Sequence, residues 1–508
     1  MKNKALMILG TASDVGKSIL CTGLCRVFKQ DGYKVSPFKS QNMALNSYIT
    51  NNGKEIGRSQ GIQAEAAGVE ANEYMNPILL KPSGEMNSQV VLLGKPLSNM
   101  SAREYRAQFL TNAREIVQIA INHNKQNNDI MVMEGAGSPV EINLKDKDIV
   151  NMKAAEMADA PVILVSDIDR GGVFASIVGT LTLLNEEERA RVKGLVINKF
   201  RGDVSLLKPG LDWIEQYTQK PVLGVIPYVR DLDIDAEDSV VLDSTKHGYG
   251  EYASVQIAVM HLPLISNFTD IDSLKKEPDC NVYFVSNLGQ FGSPDIVVIP
   301  GSKNTLADMN FLNKTGLAQR IKAFANSGGT VIGICGGYQM LGEKIIDSKA
   351  IESALNQVNG IGLLAVTTIF EQHKVTTRTK AVLPANTLPY IKQDITIDGY
   401  EIHMGKSNLL KNDCLLLVTE RAGQKVQDTD GAISNDGKIF GTYFHGIFDN
   451  GLLRRSLINN IRKNKGLAEL TEPIYDHIEA REKAFNRLAE HFRSHLNMEK
   501  IYEILDLQ

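Results

Sequence analysis

The chain has 508 residues, too many for one hydrophobic core, so two domains of ordinary size are expected. With 43% hydrophobic and 22% charged residues the composition is globular, and a formal net charge of -4 without a long basic stripe argues against a nucleic acid or an anionic membrane as main partner. Five cysteines scattered at 21, 25, 280, 335 and 414 argue against a disulfide framework and point to reduced thiols in the cytoplasm.

The run Ala5 to Leu9 is too short for the apolar part of a signal segment and lacks a small-residue cleavage site, so it reads as a first buried strand. No uncharged stretch of about 18 residues occurs, and no transmembrane helix is expected. The turn that follows, Gly10-Thr11-Ala12-Ser13-Asp14-Val15-Gly16-Lys17-Ser18, opens a helix. Backbone N–H groups of such a turn converge on phosphate oxygens, and the helix N-terminus adds partial positive charge. Lys17 is then placed to neutralise the β and γ phosphates of ATP, and the Ser18 hydroxyl to ligate magnesium. The generic pattern has four residues between its first glycine and Gly-Lys; here five separate Gly10 from Gly16. Cys21 and Cys25 lie four apart on the helix without a second ligand pair, which favours helix packing over a zinc site.

Further short apolar runs at Ile130 to Met133, Val162 to Val165, Gly194 to Ile197 and Val222 to Ile226 alternate with helical patterns, the signature of a parallel sheet. Between them Ser101-Ala102-Arg103-Glu104 reads as a capping box opening an amphipathic helix. From Asp231 to Gly250 the pattern breaks into an acidic, glycine-containing stretch taken as the linker. A second alternating series runs through Val255 to Met260, Asn281 to Val285, Ile296 to Ile299, Thr330 to Ile334, Leu415 to Val418 and Lys438 to Tyr443, and the last fifty residues are charged and helical. The fold class is α/β, with two doubly wound domains.

The longer loop resembles the dethiobiotin synthetase-like group of P-loop enzymes, whose loop is Gly-Thr-x-x-x-Val-Gly-Lys-Thr/Ser. In that group a Glu-Gly-Ala-Gly turn follows a buried strand and its glutamate helps to hold the metal, which Glu134-Gly135-Ala136-Gly137 matches. A lysine ends the second strand and faces the transferred phosphate, which Lys39 in Phe38-Lys39-Ser40 matches. The resemblance thus implies an ATP site of Thr11, Gly16, Lys17, Ser18 and Lys39, a metal held by Ser18 and Glu134, and base contacts from Asn198 and Pro227 at later strand ends.

In Gly333-Ile334-Cys335-Gly336-Gly337-Tyr338-Gln339 a buried strand ends in a cysteine between small residues and enters a helix near Tyr338. Such a turn exposes a nucleophile, and the helix N-terminus favours thiolate. The backbone N–H of Gly336 and a second donor from the strand-end turn at Gly301 suit a developing oxyanion. His445, at the end of another apolar strand, is the candidate base. These residues resemble the class I glutamine amidotransferase domain, with its nucleophile motif Gly-x-Cys-x-Gly-x-Gln and late histidine. The resemblance implies a γ-glutamyl thioester and release of ammonia from glutamine. The usual triad has glutamate two residues after the histidine, and Ile447 stands here. Asp449 and Glu401 are the nearest sequence candidates for orienting His445; another group, or none, stays open.

Ammonia does not displace oxide from a carboxylate at neutral pH, so an acyl phosphate must form first, the work expected of the ATP half. The implied order is a P-loop, carboxylate-activating domain over 1–232, a linker over 233–250, an amidotransferase-like domain over 251–455 and a C-terminal helical extension over 456–508. Across nearly its whole length the chain resembles the cobyric acid synthase family of cobalamin biosynthesis, on Phe38 to Ser47, Met75 to Pro82, Ser166 to Ala175 and Gly399 to Gly405. That family amidates the b, d, e and g carboxylates of adenosylcobyrinic acid a,c-diamide, which implies a corrinoid acid and glutamine as substrates. The rivals are the sister a,c-diamide synthase and a partition-type ATPase switch. The switch proteins carry an additional lysine near the loop start, where Thr11 and Ala12 stand. His403 reads as a structural residue of a Glu-Ile-His turn rather than a cobalt ligand.

Overall fold

The apolar runs become the centres of two parallel sheets. The computed structural model describes residues 3–83, 87–101, 110–229, 232, 234, 253–353, 355–471 and 475–507. Residues 102–104 of the proposed capping box and most of the 233–250 linker lie outside these residues; the helix after the former is described over Leu110–Asn127.

Among the described residues, the first sheet runs Val222–Pro227, Val192–Phe200, Val162–Asp167, Lys4–Gly10, Ile130–Glu134, Val35–Phe38, all parallel. Its strands are apolar on both faces because both are covered, as period-two alternation requires. Met7, Leu9, Met131 and Leu164 face helices Leu110–Asn127, Met152–Ala158 and Val173–Leu183. Leu6, Ile8, Val132 and Ile163 face helix Lys17–Gln30, together with Leu488, Phe492 and Leu496 from the far end of the chain. The polar segment after Lys39 adds a smaller sheet, ordered Gln41–Met43, Ile78–Pro82, Asn87–Leu92, Lys95–Ser101.

The second parallel series is Cys280–Val285, Val255–Met260, Ile296–Ile299, Thr330–Ile334, Ile439–Thr442, with Ala432–Ile433 antiparallel at its edge. Here the structure corrects two expectations. Leu415 to Val418 does not join this series: Leu416–Arg421 pairs antiparallel with Val366–Leu383 in a separate mixed sheet. Glu401-Ile402-His403 is not a turn; it lies in strand Ile395–Leu409, the partner of Val366–Leu383 in one long hairpin.

The C-terminal helices do not form one extension. The boundary expected at 455/456 falls inside helix Gly451–Asn464, where Leu453, Leu457, Ile458 and Ile461 join the core of the second half. Helix His477–His495 and helix Met498–Ile504 return to the first half and cover its sheet beside Lys17–Gln30. An apolar stripe identifies a helix as packed but does not name its partner, which is why tertiary structure had to assign it. No helix of the described residues is long and apolar enough to cross a membrane.

Candidate functional site

At the carboxyl end of the first sheet, the chain leaves strand Lys4–Gly10 and enters helix Lys17–Gln30 through the phosphate-type loop. Gly16 has φ 98°, and a Cβ there would stand 2.1 Å from Asn198 Nδ2, so this position admits only glycine. Lys17 Nζ donates to the carbonyls of Ala12 at 2.9 Å and Gly137 at 3.1 Å, which brings the Glu134–Gly137 turn over the loop. The Ser18 hydroxyl donates to Glu134 Oε1 at 2.9 Å, and Lys39 Nζ reaches the same oxygen at 2.8 Å in a buried ion pair. Lys17, Ser18, Lys39 and Glu134, drawn from three separated segments, therefore converge. A hydroxyl and a carboxylate side by side on the face of a lysine suit magnesium, which keeps several waters and takes few protein ligands.

The remaining predicted residues are placed differently. Thr11 Oγ1 shares a hydrogen bond with Ser166 Oγ at 2.9 Å. Asn198 Nδ2 donates to Val15 O at 2.8 Å and so braces the loop. The Pro227 carbonyl accepts from His491 Nε2 at 3.2 Å, which ties that strand end to the C-terminal helix. One neighbour was missed: Gln63 Nε2 donates to Glu134 Oε2 at 2.7 Å from helix Arg58–Ala67. A buried amide on a helix of low amphipathicity gives no periodic signal.

At the carboxyl end of the second sheet, Cys335 follows strand Thr330–Ile334 and adopts φ 54°, ψ −110°, a conformation rare outside glycine. The turn is compressed: a Cβ at Gly337 would lie 1.9 Å from Ile299 O, and one at Gly336 3.0 Å from Ser302 N. The strain presents the thiol at the start of helix Gly336–Leu341, where Sγ lies 3.4 Å from Ile402 O. Gly301 and Gly336 flank this space; a Cβ at Gly301 would stand 3.4 Å from His445 Cε1. Gln339 locks the walls, accepting from Thr305 Oγ1 at 3.0 Å and donating to Met404 O and the Tyr443 hydroxyl at 3.0 and 3.1 Å.

His445 is fully buried and lies flat on Tyr400, with ring centroids 4.8 Å apart. Its orienting group is Asp270, which neither Asp449 nor Glu401 replaces. Asp270 Oδ2 is 2.7 Å from His445 Nδ1, and Oδ1 accepts the Gly446 N–H at 2.9 Å. Asp449 instead accepts from Ser273, and Glu401 is bound by Thr379 and Arg421. Asp270 sits in the short turn Phe268–Ile271, far earlier in sequence, so no local motif could have signalled it. Burial alone would lower the imidazole pKa, but Asp270 and then Cys335 overcome it and raise His445 to about 10. With Nδ1 committed to Asp270, the buried Nε2 is free of other hydrogen-bond partners among the described residues. His403 stacks on Tyr443 with centroids 3.7 Å apart, its Nδ1 3.1 Å from Gly405 O.

The halves meet beside this thiol. The cavity next to Cys335 is walled by Lys81 and Gln89 from the first half and by Lys303, Glu352, Lys374 and Met404 from the second. Buried Glu55 holds the seam, bonding Lys81 at 2.7 Å, Ser47 Oγ at 2.7 Å and Lys374 at 2.5 Å. Although burial raises it, the Glu55 carboxyl is held well below the carboxylate range by these two cations. Lys81 has one carboxylate to share and loses more to burial than that returns, so its ammonium falls to about 8. Ser47 N also donates to Asn267 Oδ1 at 2.9 Å, and Arg378 Nε to Ile49 O at 2.7 Å.

Comparison with known proteins agrees with this architecture. Residues 6–241 match the family model of the CobQ/CobB/MinD/ParA nucleotide binding domain, and residues 256–452 that of the CobB/CobQ-like glutamine amidotransferase domain. The chain is 51% identical over 508 residues to a cobyric acid synthase of Desulforamulus reducens, covering 99% of this chain and 98% of that protein. It is 52% identical over 506 residues to the cobyric acid synthase of Caldanaerobacter subterraneus subsp. tengcongensis, with the same coverage of 99% and 98%. Similarity at this level along both halves, with an ATP-type loop and a cysteine-histidine-aspartate constellation in one molecule, means that the chain belongs to the cobyric acid synthase family.

Proposed function

We propose that the protein amidates the b, d, e and g carboxylates of adenosylcobyrinic acid a,c-diamide, using ATP and glutamine. The observation that carries this reading is the pairing, in one chain, of the Lys17–Lys39–Glu134 phosphate centre with the Cys335–His445–Asp270 site across a shared seam. At the first centre a substrate carboxylate attacks the γ-phosphorus of ATP; ADP leaves and an acyl phosphate forms. Lys17 and Lys39 are placed to hold the transferred phosphoryl group, and the loop N–H groups the other phosphates. Magnesium would be held by Ser18 and Glu134 and would neutralise phosphate charge as it is transferred.

At the second centre the raised pKa of His445 favours a thiolate-imidazolium pair with Cys335. Cys335 Sγ attacks the side-chain amide carbon of glutamine, and the N–H groups of Gly301 and Gly336 are the proposed oxyanion donors. His445 Nε2 gives its proton to the departing ammonia and, now neutral, activates the water that hydrolyses the thioester to glutamate. Ammonia then attacks the acyl phosphate, phosphate leaves, and a proton lost from nitrogen completes the amide. Five free cysteines suit a reducing compartment such as the cytoplasm.

The deciding measurement is mass spectrometry of the product formed from adenosylcobyrinic a,c-diamide, ATP and glutamine. Amidation at b, d, e and g is expected. An a,c-diamide left unchanged, with cobyrinic acid offered in its place converted only as far as the a,c-diamide, would assign the sister reaction, and no corrinoid-dependent ATP hydrolysis would favour a switch.

A further inference from the structure

Three lysines wall the cavity beside Cys335, and two of them are already neutralised. Lys81 and Lys374 share buried Glu55 across the seam. Lys303, directly after the Gly301-Ser302 turn, has no hydrogen-bonded or ion-paired partner for its ammonium among the described residues. The acid acting most strongly on it is Glu352, which lines the same cavity without forming a direct ion pair with it. Glu352 is fixed by the Thr305 N–H, which donates to its Oε2 at 2.7 Å, at the start of helix Thr305–Lys314. Burial lowers the pKa of Lys303 and raises that of Glu352 to about 7, so both charges are held at a cost in this cavity.

A cation and a carboxylate that face one small space without satisfying each other complement a zwitterion. Cys335 in the same cavity supplies the reacting end, so the ligand is an α-amino acid whose side chain ends in an amide. We infer that Lys303 binds the α-carboxylate of glutamine and Glu352 its α-ammonium, setting the distance from Cα to the thiol. This rests on the glutaminase reading above, and it makes these two residues the ones that select glutamine over a simple amide.

The test compares glutamine with 4-aminobutanamide, which lacks the α-carboxylate, and with glutaramate, which lacks the α-amino group. In the full chain Lys303→Met should raise KM for glutamine roughly ten- to a hundredfold, the range of a charge-assisted hydrogen bond. kcat should change far less, and Lys303→Arg should recover part of the loss. The preference of the native protein for glutamine over 4-aminobutanamide should collapse in Lys303→Met, and that over glutaramate in Glu352→Gln. Equal losses for glutamine and the matching truncated amide would overturn the assignment. Calorimetric binding of glutamine to Cys335→Ala, with and without Lys303→Met, measures recognition without turnover. Lys303-dependent binding, together with no glutamate release by the native chain that keeps Cys335, would sink the glutaminase reading and leave this inference standing; binding indifferent to Lys303 would sink the inference itself.

Discussion

Replacing Asp270 by asparagine removes one charge from a packed site and leaves its shape intact. The Asp270 carboxylate serves two N–H groups, His445 Nδ1 at 2.7 Å and Gly446 N at 2.9 Å. An asparagine oxygen can keep Gly446, and its NH₂ then faces Nδ1. That contact requires Nδ1 to be an acceptor, so the proton moves to Nε2 and the imidazole can no longer take one from Cys335. Asp270 is also the chief influence opposing burial at His445, whose pKa stands near 10 against an ordinary 6.5. At 1.36 kcal/mol per pH unit this is on the order of 5 kcal/mol in favour of the imidazolium. The analogous change in a serine triad costs about 10⁴-fold in kcat. A cysteine is partly thiolate without help, so a fall of roughly 10²- to 10⁴-fold in glutamate release is expected here. Alkylation of Cys335 by iodoacetamide, followed against pH, should show its midpoint move upward in Asp270→Asn, while ammonium-supported amidation persists. Glutamate release within threefold of the native rate, or an unmoved alkylation profile, would refute the role given to Asp270.

Cys335→Ala should abolish amidation with glutamine and leave amidation with ammonium salts, whereas Lys17→Ala should remove both; loss with both donors in the cysteine variant would end the division of labour. Glu55→Gln leaves Lys81 and Lys374 facing each other at a buried seam, and destabilisation of about 3–5 kcal/mol is expected at pH 7. Because the folded Glu55 pKa lies below its ordinary 4.5, its contribution is complete above that value and fades as pH falls towards the folded pKa. Thermal melts should therefore separate native and Glu55→Gln chains widely at pH 7, and the gap should begin to narrow only as pH falls below about 4.5. Phe492, 2% exposed and in one buried cluster with Leu24 and Phe28, should cost roughly 3–5 kcal/mol as alanine and lower the melting of the ATP half, which a tail without a packing role would not do.

What depends on neighbours along the chain is legible in the sequence. Buried strands, the longer glycine loop and the constrained cysteine turn are local, since apolar runs, glycine spacing and strand-to-helix turns act within about ten residues. Lys17, Ser18, Cys335 and His445 could be named from those signals. Tertiary structure alone decided which distant groups serve them. Asp270 reaches His445 from a turn with no motif of its own, and Gln63 reaches Glu134 from a helix with no distinctive period. It also moved Leu416–Arg421 into an antiparallel sheet and sent the last helices back to the first one, because an apolar stripe specifies burial but not the surface that provides it. The seam around Glu55 is the clearest case: no local pattern singles out Lys81, Lys374 and Glu55, and only packing the two halves together removes water and makes them a buried cluster.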